Sequence, residues 1–126
     1  MEFKMNHIHL KAPDVRRTSG WYVENLGAEI IGEAINDGVL TLRTDLGGVR
    51  VNITAIPHES ESDGTTDPHV GLEHFGLETV DLDATLSQLE GRGIRILERP
   101  RTLQSGIRIA FVEAPDKVRL ELMQMP

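Results

Sequence analysis

Apolar and polar positions alternate along the chain in two passes, and each pass sets out the same series of elements. In residues 6–12, Ile8, Leu10 and Ala12 fall on one side and His7, His9 and Lys11 on the other, the period of a half-buried strand. Pro13 ends that run, and Asp14 is placed to cap a helix presenting Val15, Trp21, Tyr22 and Leu26, although Gly20 weakens it. A β-rich run follows at 28–35, then the turn signal Asn36-Asp37-Gly38, a strand, the turn Leu46-Gly47-Gly48 and a further strand from Val49 to Ile53.

The second pass opens at His74. Asp81 or Asp83 can cap its helix, Leu82, Leu86 and Leu89 form the apolar stripe, and Gly91 or Gly93 ends it. Residues 94–97 read as strand, 98–105 as a polar connection containing Pro100, and two closing strands flank a turn at Pro115-Asp116-Lys117. His7 to His74 and Asp14 to Asp81 are both offsets of 67 residues (74 − 7 and 81 − 14). Arg50 matches Arg119, and Asn52 matches Glu121. A fixed offset that carries strand, cap, helix and stop together marks a duplicated unit. The expected fold is α+β: two βαβββ modules, 1–56 and 71–126, that pair into a curved mixed sheet with the helices outside.

Between them lies PHESESDGTTDPHV, residues 57–70, polar, acidic and without hydrophobic period. It is expected to be a mobile linker, and such a linker permits modules to be exchanged between two chains. A half of this size buries too little to stand comfortably alone. The modules are therefore expected to share a core, with a homodimer as the assembly.

Charge narrows the partners. The net charge is −7, and no stripe of Lys and Arg offers itself to a phosphate backbone, which argues against nucleic acid. With no cysteine, thiolate ligands and disulfides are excluded. No signal-peptide pattern or bilayer-length apolar run is present, so a soluble cytoplasmic protein that takes a small molecule is expected.

Strand period then sorts side chains by face. Val118, Leu120 and Leu122 share one face, leaving Arg119, Glu121 and Met123 on the other. Val49, Val51 and Ile53 likewise leave Arg50, Asn52 and Thr54. The apolar rows must meet the helices. If the modules pair about a pseudo-twofold axis, His7, His74, Asn52 and Glu121 converge in a cleft.

The segments HIHLKAPDVRRTSGWYVENLGAE, HFGLETVDLDATLSQLEGRGIRI and IRIAFVEAPDKVRLELMQ together resemble the vicinal oxygen chelate superfamily. That group includes glyoxalase I, methylmalonyl-CoA epimerase, extradiol dioxygenases, and fosfomycin- and bleomycin-resistance proteins. The resemblance covers nearly the whole chain. It implies a divalent metal (Fe, Mn, Co, Ni or Zn) held by the His that opens each module and a Glu on the last strand, positions matched by His7, His74 and Glu121. The fourth family position, often Glu or Gln, is Asn52, and the usual Pro-Asp-Gly turn is Pro115-Asp116-Lys117. Two imidazoles and a carboxylate leave coordination sites open for a substrate bound through neighbouring oxygens, on which the metal acts as a Lewis acid.

Asn52 can offer only a weak amide contact. Isomerisation needs a proton carrier, and His9, on the same side as His7, is the candidate; as a hydrogen-bonded rim residue it has a plainer role. Arg50 and Arg119 can hold an anionic substrate or pair with acidic neighbours. Trp21 and Tyr22 read as packing, His58 and His69 as solvated. Three functions stay open. A metal-dependent lyase or isomerase comes first, an Fe(II) ring-cleaving dioxygenase second, and a ligand-sequestering protein of the bleomycin-resistance type third.

Overall fold

Each half of the chain folds as a strand, a helix and three further strands. In the computed structural model, which describes residues 1–56 and 63–126, β1 (Ile8–Ala12) leads to α1 (Val15–Leu26). The meander β2 (Glu29–Asn36), β3 (Val39–Leu46) and β4 (Val49–Ala55) follows. The second half repeats this as β5 (His74–Glu78), α2 (Leu82–Gly91), β6 (Ile96–Thr102), β7 (Arg108–Ala114) and β8 (Val118–Gln124). The sheet orders are β1-β4-β3-β2 and β5-β8-β7-β6, and in each the first strand runs parallel to the last while the other pairs are antiparallel. The chain divides into two units, Met1–Ser62 and Asp63–Pro126. The first six residues of the anticipated linker, with His58 among them, lie outside the described residues.

Caps and turns explain where the elements stop. The Asp14 carboxylate accepts from the Arg17 amide at 3.1 Å, and that of Asp81, rather than Asp83, from the Ala84 amide at 2.9 Å. These bonds satisfy amides that have no partner inside the helix. Gly27 closes α1 in the left-handed region at φ 72°. In the first unit Val15 and Tyr22 pack with Ala12, Leu42, Leu46, Val51 and Ile53. In the second, Leu82, Leu86 and Leu89 pack with Ala110, Val112, Leu120 and Leu122. Both apolar strand rows therefore back their helix, and the alternate rows face away from it.

One expectation fails. The stretch from Glu98 onward, read as a connection because of Pro100, is strand: β6 runs to Thr102. β6 is the outer strand of its sheet, and the pairing skips from Glu98–Phe111 to Arg101–Ile109. Pro100, which has no N–H to give, sits in that irregularity, where none is required. A further irregularity is shared by the two units. β2 slips between Ile30 and Gly32, and β6 between Ile96 and Glu98, at matching places opposite β3 and β7. The duplication thus extends to a β-bulge that no hydrophobic pattern signals.

Candidate functional site

On the second unit, the face turned from α2 carries His74, Arg119, Glu121 and Phe111. The strand register sets His74 opposite Arg119, and Glu121 between Gly76 and Phe111. His74 stands between two carboxylates. Its Nδ1 lies 2.8 Å from Glu73 Oε1, and its Nε2 lies 3.1 Å from Glu121 Oε2. The ring meets Phe111 edge-on at 5.1 Å. Gly76 leaves this corner open: a Cβ there would touch Glu121 Oε1 and the Met123 sulfur at 3.6 and 3.8 Å.

Arg119 behaves otherwise than an open anion clamp. It is only 7% exposed, with its guanidinium 4.0 Å over the Phe111 ring. Nε lies 3.4 Å from Glu73 Oε1, Nη1 donates to the Thr66 carbonyl at 3.0 Å, and Nη2 pairs with Glu98. Its charge is committed within its own unit. The bond to His74 is the main reason the Glu73 carboxyl sits below its ordinary range, aided by the His69 amide and the Arg119 charge against some loss of hydration.

Preceding this face, residues 67–73 form a turn held by His69. Its Nδ1 lies 3.0 Å from the Asp67 carbonyl and its Nε2 lies 3.1 Å from that of Leu72, while its amide donates to Glu73 Oε2 at 3.3 Å. Carbonyls only accept, so both contacts are hydrogen bonds only when both ring nitrogens carry protons. The Asp67 carbonyl, then that of Leu72, raise the His69 pKa.

The first unit repeats the template with other side chains. His7 stands one residue before β1, exposed, its Nδ1 2.7 Å from Asn6 Oδ1 and its ring 5.6 Å from that of His9. His9 Nε2 meets Thr54 Oγ1 at 2.6 Å, and Thr54 meets Thr41 Oγ1 at 2.8 Å. Lost hydration first, then Lys11 and His7, lower the His9 pKa. Asn52 is paired across the sheet with His9 on one side and Arg43 on the other, and its Oδ1 is buried without a hydrogen-bond partner among the described residues. Arg50 is exposed at a depression of about 330 Å³ that Met5, Asn6, Asp45 and Val49 also line.

His74 and Glu121 suit a shared divalent cation. Two donors bound to one ion at about 2.1 Å and at right angles lie about 3 Å apart, close to the separation observed. Among the described residues, no group of three or more His, Asp or Glu side chains gathers in a metal-holding arrangement. Periodicity missed four residues here: Glu73, Glu98 and Phe111 around His74 and Arg119, and Arg43 beside Asn52. Glu73 did have a signal, since a hydrogen-bond acceptor precedes the opening His in both copies, as Asn6 and as Glu73.

The sequence pattern of the glyoxalase/bleomycin resistance protein/dioxygenase superfamily matches residues 4–122. The chain belongs to that superfamily. The uncharacterized protein YwkD of Bacillus subtilis (strain 168) is 25% identical over 123 residues, 95% of each chain. Among solved structures, a glyoxalase family protein from Enterococcus faecalis superposes with a TM-score of 0.78 at 24% identity, covering 95% of this chain and 96% of its own. Glyoxalase I from Zea mays superposes with a TM-score of 0.76 at 21% identity, over 96% of this chain and 44% of the maize one. These likenesses establish the fold of two βαβββ modules. No helix is long and apolar enough to cross a membrane among the described residues.

Proposed function

We propose that the protein is a divalent-metal-dependent lyase or isomerase acting on a small substrate bound through neighbouring oxygens. His7, His74 and Glu121 are its metal ligands. The observation that carries this reading is the 3.1 Å approach of His74 Nε2 to Glu121 Oε2, with Nδ1 already engaged by Glu73. His7 offers Nε2 in the same way, its Nδ1 being taken up by Asn6. When bound, the metal supplies Lewis acidity toward a substrate carbonyl or enolate.

The remaining polar residues of the first unit handle the substrate. Asn52 Oδ1, buried and without a hydrogen-bond partner among the described residues, accepts from a substrate hydroxyl. Arg50 attracts an anionic group. His9 moves the proton: its lowered pKa keeps the ring neutral near pH 7, and with Nε2–H donated to Thr54 the lone pair is on Nδ1. The assembly in this reading is a cytoplasmic homodimer. Ile31 and Ile35, 49% and 69% exposed on the outer strand β2, are the surface that a second copy covers.

The test is metal content of the purified protein, followed by His74→Ala and His9→Gln. His74→Ala should remove the bound metal, whereas His9→Gln should retain it and lower turnover by about 100-fold or more. Full metal occupancy in His74→Ala overturns the ligand assignment. Oxygen uptake with a catechol under Fe(II) would point to a ring-cleaving dioxygenase instead. The bleomycin-resistance members named in the matched superfamily support a second reading, a binder that sequesters its ligand without chemistry. Tight ligand binding by metal-stripped protein would select it.

A further inference from the structure

The residue immediately before each module-opening histidine holds that histidine's Nδ1. Asn6 Oδ1 lies 2.7 Å from His7 Nδ1, and Glu73 Oε1 lies 2.8 Å from His74 Nδ1. The duplication has thus kept a contact and changed its chemistry: an amide oxygen in one copy, a carboxylate in the other.

A neutral imidazole has one N–H and one lone pair, so whichever nitrogen donates decides which is left to bind. Both acceptors lie on the Nδ1 side, and both select the form whose lone pair is on Nε2. The two clasps differ in strength. A hydrogen bond to an ionised carboxylate is about twice as strong as a neutral one. A carboxylate behind the ring also makes the far nitrogen a better donor.

The two clasps differ in support as well. Glu73 is itself fixed from three directions: by His74, by Arg119 Nε at 3.4 Å, and by the His69 amide at 3.3 Å on its other oxygen. Arg119 is in turn held by Glu98, the Thr66 carbonyl and the face of Phe111. Asn6 lies outside any strand on an exposed stretch, and its clasp on His7 is solvent-facing.

From this we infer that Glu73 is a positioning residue for the site. It sets the tautomer and donor strength of His74 and so makes the second module the primary cation-capturing half, with Asn6 a weaker counterpart for His7. The inference rests on the metal-dependent reading above only in its second part, the consequence for cation binding. The tautomer itself is a property of the metal-free protein.

Glu121 competes for the His74 ring from the Nε2 side, so the tautomer is best read in the Glu121→Ala background. Long-range ¹H–¹⁵N correlation spectra of the neutral imidazoles report which nitrogen is protonated. His74 should carry its proton on Nδ1 in Glu121→Ala. In Glu121→Ala/Glu73→Leu it should revert to the Nε2–H form that unconstrained histidine favours. Glu73→Gln keeps an acceptor and the shape, so it should retain the Nδ1–H form. It also guards against a Leu variant that takes from Arg119 one of its two carboxylates and fails to fold.

With Glu121 intact, titration with Zn²⁺ alone should show Glu73→Leu weakening binding by about 10- to 100-fold. Glu73→Gln should fall between it and the native chain, and Asn6→Ala should cost about fivefold or less. A His74 that is Nε2–H with Glu73 present, or unchanged when Glu73 is Leu, overturns the inference. So does Zn²⁺ affinity equally sensitive to Asn6 and Glu73. A native chain that binds no Zn²⁺ while its tautomer follows Glu73 supports the positioning role and overturns the metal reading instead.

Discussion

The outward faces of the two sheets occupy equivalent positions of one template, share a histidine and an arginine, and differ in the side chains around them. Where the second carries Glu73, Arg119, Glu121 and Phe111 around His74, the first carries Asn6, Arg50, Asn52 and Arg43 beside His7. The second face is acidic and internally paired around His74, with Arg119 buried. The first is basic, and its hydrogen-bonded chain runs His9–Thr54–Thr41. A duplicated backbone therefore does not imply duplicated chemistry. It holds two rows of side chains in matched places and leaves each free to carry its own set of charges.

The sharpest way to break this comparison is to make the second face like the first. Glu121→Asn should reduce divalent-metal affinity by about 100-fold or more, beyond the loss typical of a supporting residue, as measured by calorimetric titration. Rescue by adding Asn52→Glu to that variant would show the two faces to be interchangeable, against our reading. Next comes the arginine pair. Arg119→Ala leaves Glu73 and Glu98 without their shared counter-ion and should cost about 3 kcal/mol of stability. Arg50→Ala, at the exposed equivalent, should stay within about 0.5 kcal/mol. Denaturant unfolding of both variants measures the difference.

A smaller effect lies in the hairpin turns. The β3–β4 turn places Gly47 and Gly48 at φ 60° and 91°, whereas the β7–β8 turn forces Asp116 and Lys117 to φ 63° and 59°. Lys117→Gly relieves a left-handed side chain and should stabilise the protein by about 1 kcal/mol, again by unfolding.

The smallest effect is that of pH on the turn before β5. With its pKa raised, His69 contributes stability that is complete below its ordinary value of 6.5 and is lost as pH rises through the higher folded value. Glu73, with its pKa lowered, contributes stability that is complete above 4.5 and is lost as pH falls through the lower one. Amide protection factors in residues 67–73, exchange rates corrected for their intrinsic pH dependence, should therefore be largest between those pH values. His69→Gln should remove the alkaline limb and leave the acidic one.

The fold was largely legible because period, caps and turn residues agree in both passes: Asp14, Asp81 and the Asn36-Asp37-Gly38 turn all act as their types suggest. β6 was cut short in the reading because proline is a strong local signal, and whether a strand lies at a sheet edge is not written locally. The site was legible to the extent that alternation assigns faces, which separated His9, Asn52, Arg119 and Glu121 from the core. What alternation cannot give is which neighbour engages each charge. Arg119 and Arg50 have the same place in the repeat, and only the packing of Glu73, Glu98 and Phe111 decides that one is buried and the other is not.

On the metal-dependent reading, the ionic make-up around His74 would set a selectivity of its own. Three carboxylates, Glu73, Glu98 and Glu121, stand against one guanidinium, Arg119, leaving two negative charges unopposed when the imidazole is neutral. An ion of charge two restores neutrality to that patch and one of charge one leaves it half compensated, so potassium and sodium should be poor competitors even at cellular abundance.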